Sequence, residues 1–248
     1  MITAVIDDKV YMAARNNAQW CDAMCRAHGL PGSFGARVWT NGRRTPPLYP
    51  DAVTLTGDAT ADDILGTVDT AGPGCSVKDS FVSLDLAAAG FEVLFEAQWL
   101  HRPGDLPAPV PPPGREWERV RSPAELAAWA AAWDGDEGLA GLFRPELLTD
   151  PATTFLAARE APGKDRIVAG AVVSLGAGAA GISNLFAVDD DLDAAWAGAL
   201  AAVARRWPGT PVVGYEQGDD LTAAVGQGCA PVGPLRVWLV SAQAADEE

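Results

Sequence analysis

The sequence has no run of eighteen apolar residues, because Asp, Glu, Arg or Gly interrupts each alanine-rich segment well before spanning length. No membrane span is expected. The opening Met1-Ile-Thr-Ala-Val-Ile-Asp-Asp-Lys9 carries no basic stretch followed by a long apolar one, so it does not read as a secretory signal, and a cytoplasmic location is expected. Cysteine is scarce: Cys21, Cys25, Cys75 and Cys229 lack the dense regular spacing of a secreted disulfide scaffold and fit buried reduced thiols. Positive charge is also short. Against 33 Asp and Glu stand 18 Lys and Arg, a formal net charge of −15 that repels phosphate backbones and anionic lipid, so neither nucleic acid nor membrane is expected as a partner. The same acidity suits a cationic amine, and it also serves to keep an alanine-rich protein soluble.

The chain has 248 residues, 48% hydrophobic and 21% charged, enough for one large domain or two small ones around a real core. The clearest boundary is Pro103-Gly-Asp-Leu-Pro-Ala-Pro-Val-Pro-Pro-Pro-Gly114, whose prolines remove backbone donors and hold φ near polyproline values. A semi-rigid linker at 103–114 separates modules at 1–102 and 115–241, followed by a polar acidic tail at 242–248. Cys21, Cys25 and His28 share a helical face and match the spacing of three metal ligands, but with Trp20 and Met24 beside them the stretch reads as a packed amphipathic helix, and no metal is expected.

In the second module, Trp117-Glu-Arg-Val120 reads as a strand, and Ser122-Pro-Ala-Glu125 supplies an N-cap, a proline at the first helical position and the capping-box acid. A helix over 123–133 follows, with Leu126, Trp129, Ala130 and Trp133 on its apolar face. A short helix at 145–148, strands at 154–159, 167–175 and 182–188, a helix at 192–207, a strand at 211–215, a helix at 219–226 and a strand at 233–240 complete the order βααβββαβαβ. The first module ends similarly, with strands at 52–55, 75–77 and 91–100 and helices at 58–71 and 84–89. Leu84-Asp-Leu-Ala-Ala-Ala-Gly-Phe91 aligns with Leu221-Thr-Ala-Ala-Val-Gly-Gln-Gly-Cys229, which reads as an internal repeat. The expected class is a mixed α/β fold in two related parts.

That order of elements, with Ile182-Ser-Asn-Leu-Phe-Ala-Val188 as a central strand and residues 211–240 as strand, short helix, glycine and closing strand, resembles the GNAT superfamily of N-acyltransferases. The first module resembles a partial second copy. The resemblance implies an acyl-CoA-dependent N-acyltransferase acting on a small amine, with acetyl-CoA or another acyl-CoA between the fourth and fifth strands. It places the arm of that cofactor along the backbone of Phe186, Ala187 and Val188, with Ser183 and Asn184 as candidate substrate-binding residues.

Two parts of the family pattern are missing. Where the family places a glycine-rich turn for pyrophosphate, this chain reads Val188-Asp-Asp-Asp-Leu-Asp-Ala-Ala-Trp-Ala-Gly198, so weak cofactor binding is expected. Where it places a tyrosine as general acid stand Ala224 and Leu86. Tyr215 and Glu216 end a strand beside the implied acyl site, and Glu216 is the candidate to deprotonate an incoming ammonium. Arg43-Arg-Thr-Pro-Pro-Leu-Tyr-Pro-Asp51 places Arg43, Arg44, Tyr49 and Asp51 on a stiff loop, and Val77-Lys-Asp-Ser-Phe81 places Lys78 where a strand opens into a capped helix; these are the candidate substrate-binding residues. The alternative is a GNAT-like ligand- or protein-binding module without catalysis.

Overall fold

The computed structural model describes residues 7–135, 137–160 and 166–240; the tail at 242–248 lies outside them. A long first helix, α1 (Asp8–Ala27), opens on Asp7, whose carboxylate accepts from the Lys9 N–H. Short strands β1 (Ser33–Phe34), β2 (Val38–Thr40) and β3 (Ala52–Thr54), helix α2 (Asp62–Leu65) and strand β4 (Ser76–Asp79) lead to the long β5 (Phe91–Arg102). After an irregular 103–114 come β6 (Arg115–Arg119), α3 (Pro123–Asp134), β7 (Thr153–Glu160), β8 (Ile167–Gly176), β9 (Ala179–Ala187), α4 (Leu192–Arg206), β10 (Val212–Glu216), α5 (Gly218–Gly226) and β11 (Ala230–Val240). The class is mixed α/β, as the sequence indicates.

Among the described residues, eleven strands form one sheet in the order β1-β2-β3-β4-β11-β5-β10-β9-β8-β7-β6. Strand β5, from before the proline segment, lies between β10 and β11 and is antiparallel to both. The backbone groups of β10 and β11 facing each other across that gap are therefore satisfied by a strand from the first half of the chain. The sheet runs unbroken through both halves.

Helices cover both faces. On one, Val10, Ala13 and Ala14 of α1 pack on Ala97, Trp99, Val213 and Leu235, while Trp20, Cys21 and Met24 join Leu126 and Trp129 of α3 around Phe155 and Val172. On the other, Trp196, Leu200 and Val203 of α4 and Ala223 and Ala224 of α5 pack on Leu100, Val173, Ile182 and Val212. The capping box forms as the sequence specifies, with Ser122 Oγ accepting from the Glu125 N–H and the Glu125 carboxylate accepting from the Ser122 N–H.

The first half corrects two helices. The expected helix over 58–71 is reduced to the four residues of α2, and that over 84–89 to a single 3-10 turn at Ala87–Ala89. The cause is local competition for N–H groups. Asp79, which with Ser80 is a candidate cap for that helix, instead accepts from the N–H groups of Phe81, Ser83 and Leu84, fixing a turn.

Candidate functional site

Strands β9 and β10 are parallel and pair only at Ala180↔Val212 and Gly181↔Val213. Beyond Val213 they part, so among the described residues the edge of β9 from Ile182 onward has no strand partner on that side. A bulge enlarges the departure: Ser183 opposes Val172 and Phe186 opposes Gly170, which leaves two residues of β9 facing one of β8, and Asn184 takes φ +51°. Phe186 and Ala187 lie on the unpaired stretch, and Val188 follows it with its N–H already given to Val168 O. Ser183 Oγ is buried with no hydrogen-bond partner among the described residues.

On the α1 face, next to this opening, a cavity of about 550 Å3 runs from β4 across β11 and β5 to β10. Four of the sequence-predicted residues meet there: Arg44, Tyr49, Lys78 and Tyr215. The loop that roofs it is built around buried Asp51. Its carboxylate accepts from Arg44 Nη1 at 2.7 Å, the Thr45 N–H at 3.0 Å and the Ser76 N–H at 2.9 Å, while Arg44 also reaches Asp69 O and Gly72 O. Asp51 is thus structural support for the roof and not part of the cavity wall. Tyr49 packs edge-on against Trp20 and its hydroxyl lies 3.4 Å from Asn184 Oδ1, tying the loop to the bulge. Arg43 turns away, donating to Gly29 O, and does not join the cavity.

Tyr215 and Glu216 point to opposite faces, as the alternation of a strand requires. Tyr215 packs on Trp99 with ring centroids 5.5 Å apart and carries the Lys78 ammonium 4.1 Å above its own ring. Glu216 faces α5 in a half-buried position, where burial and then the charge of Asp220 push its pKa up to about 8. It is a carboxylic acid at neutral pH.

At the start of α4 the aspartates are engaged. Asp191 caps the helix, accepting from the Ala194 N–H, the Leu192 N–H donates to Asp190 O, and Arg115 pairs with Asp189 and Asp191. Two of the first three N–H groups of the helix are therefore already taken, inside a ring of carboxylates. Ala224 and Leu86 are buried core residues.

Cys21 and Cys25 sit in the core, and burial pushes the Cys25 thiol up to about 12, while His28 Nε2 lies 2.8 Å from Leu142 O. Elemental analysis of untagged protein is expected to find no stoichiometric zinc; one zinc per chain would overturn that expectation. Among the described residues, no helix is long and apolar enough to cross a membrane.

One mixed sheet, parted at a parallel pair of central strands and sheathed by helices on both faces, defines the GNAT fold. No protein-family model and no curated protein matches the sequence. Solved structures do match. A GCN5-related N-acetyltransferase from Kribbella flavida is similar over 90% of this chain and 94% of its own, at 17% identity and a TM-score of 0.57. A putative acetyltransferase from the GNAT family of Novosphingobium aromaticivorans covers 91% and 96% at 14% identity and TM-score 0.54. A GCN5-related N-acetyltransferase from Sphaerobacter thermophilus covers 97% and 98% at 13% and 0.51. At these identities the likeness is one of fold.

Proposed function

We propose that this GNAT-fold chain is an N-acyltransferase for a small amine, with the acyl donor lodged where β9 and β10 part and the acceptor approaching from the α1 face. The observation that supports it is the shared wall: Tyr215 borders both the cavity and the edge of the parted strands. Residues 115–241 read in this proposal as the principal module and 1–102 as a partial second copy that lends it β5.

An acyl-CoA fits this site in one part only. The unpaired edge of β9, with the unsatisfied Ser183 Oγ, suits an extended amide-bearing arm, which adds to a strand through main-chain bonds. The start of α4 does not fit a pyrophosphate, for two of its first three N–H groups are engaged and its surroundings are acidic. On the acceptor side, an ammonium must lose a proton before its nitrogen can attack a carbonyl, and Glu216, which faces α5 on the other side of the sheet, does not line the cavity to take it.

Acetyl-CoA is expected to bind more weakly than micromolar. Exchanging Asp190, Asp191 and Asp193 for Asn should tighten it, most at low salt, since Asn still caps a helix while the repulsion is removed. Calorimetry giving a micromolar or better Kd for the unmodified protein would overturn the weak-binding expectation. The engaged α4 terminus and the missing tyrosine favour a second reading, a ligand-binding module without catalysis. Failure to acylate any of a panel of small amines at saturating acetyl-CoA would select it.

A further inference from the structure

Lys78 is the least expected group in the cavity. It is 4% exposed, donates to Asn17 Oδ1 at 2.8 Å, and lies over the face of Tyr215. Among the described residues no carboxylate pairs with it, although the chain carries 33 Asp and Glu. A buried ammonium is normally matched by an opposite charge, and here an amide oxygen and a π face stand in its place. The other cation at the cavity is not free to supply or receive charge, because Arg44 is committed to Asp51 and to two carbonyls. The cavity therefore presents one uncompensated positive charge.

Around that charge the walls are apolar. The bulge between Val237 and Trp238 leaves Leu94 as the extra residue of β5, so that Leu94 and Phe95 both line the cavity, opposite Pro46 and Pro47 and beside Leu239. Two large hydrophobic side chains are left in solvent at its mouth, Leu48 at 70% exposure and Leu94 at 54%. Leu48 also holds φ +68°, a backbone conformation uncommon for leucine, which the Asp51-braced loop maintains.

We propose that this cavity binds a small monocarboxylate with an apolar body, the carboxylate on the Lys78 ammonium and the body between the proline loop and Leu94, Phe95 and Leu239. A single cation selects a monoanion over a phosphate dianion, whose second charge would go unmet in an acidic protein. The inference concerns binding in the cavity through which the proposed acceptor enters, so an acceptor amine held there carries a carboxylate of its own to meet Lys78. A carboxylate that has no amine tests it alone.

The test is calorimetry of the full chain with 3-phenylpropanoate, the matching alcohol, the matching amine and inorganic phosphate. The carboxylate is expected to bind with a submillimolar Kd, at least about tenfold tighter than the alcohol or the amine, as charge-assisted hydrogen bonds outweigh neutral ones. Lys78→Met, checked for an unchanged circular dichroism spectrum, should lose that margin and keep the alcohol's affinity. Leu94→Asp, at an exposed position that folding tolerates, should weaken the carboxylate by about tenfold or more through like-charge repulsion. Equal affinity for carboxylate and alcohol, tighter binding of phosphate, no binding of any probe in the millimolar range, or undiminished carboxylate affinity in both variants would each overturn the proposal.

Discussion

Glu216→Gln is expected to leave stability nearly unchanged at pH 5 and to raise it at pH 9. The reason is the direction of the shift. Glu216 ionises near 4.5 when exposed and near 8 in the folded chain, so the folded state holds a proton that the unfolded state has released between those values. Its contribution is complete below about 4.5 and is lost as pH rises through about 8, because ionisation in the folded state must overcome burial and the nearby Asp220. The full shift, discounted because the side chain is partly exposed, corresponds to roughly 2 to 4 kcal/mol. Glutamine has no such ionisation. Urea unfolding of both proteins at the two pH values measures it, and other groups that titrate alike in both cancel in the difference. An equal difference at pH 5 and pH 9 would remove the raised pKa from the account.

What could be read in the chain was what is decided locally. The helix at Ser122 announces itself by cap, proline and acid within four residues, and α4 by apolar periodicity closing on Arg205 and Arg206. The strands from β7 to β11 follow from apolar runs bounded by turns. Helix propensity misled where side chains compete for backbone donors: Asp79 takes three N–H groups ahead of 84–89, and Asp63 accepts from the Thr60 N–H and hydroxyl at the start of α2. The place of β5 was not legible. Its partners β10 and β11 arrive more than a hundred residues later, and pairing at that distance leaves no local mark on a strand.

The site was legible in part for the same reason. Tyr49, Arg44, Lys78 and Tyr215 could each be picked out as polar or aromatic groups on stiff or strand-end positions, but nothing in their spacing says they converge. Convergence is made by the sheet order, which sets β4 and β10 on either side of the pair β11 and β5, and by a loop from 44–50 folding over both. Alternation along β10 is written in the sequence: adjacent residues on a strand face opposite ways, so Tyr215 and Glu216 serve different faces. The whole arrangement then depends on how firmly α1 is held, since Asn17 orients Lys78 and Trp20 supports Tyr49.

That anchor is Asn16, and Asn16→Leu is expected to destabilise the protein by roughly 3 to 5 kcal/mol, more than a leucine of similar volume would otherwise cost in a core. Asn16 is 2% exposed, and its Nδ2 donates to Ser174 O and Gly176 O at 3.0 Å and to Ala179 O at 3.3 Å, while Ser174 Oγ donates to its Oδ1. One side chain thus bridges both arms of the β8–β9 hairpin, and leucine would remove those donated bonds and take the acceptor from Ser174 Oγ. Gly181 makes the room for this contact: a Cβ there would lie 1.9 Å from Asn16 Oδ1 and 2.8 Å from Ser174 Oγ. Gly181→Ala should therefore weaken the same anchor, and the two changes together should cost less than their sum, since each already breaks the contact. Neighbouring Asn17→Ala, which gives up one bond from Lys78, should cost about 1 kcal/mol and act chiefly on ligand affinity. Urea unfolding distinguishes these outcomes. A loss below about 1 kcal/mol in Asn16→Leu, or strict additivity with Gly181→Ala, would show that α1 is held by its apolar contacts with Ala97, Trp99 and Val213 and not by the hairpin.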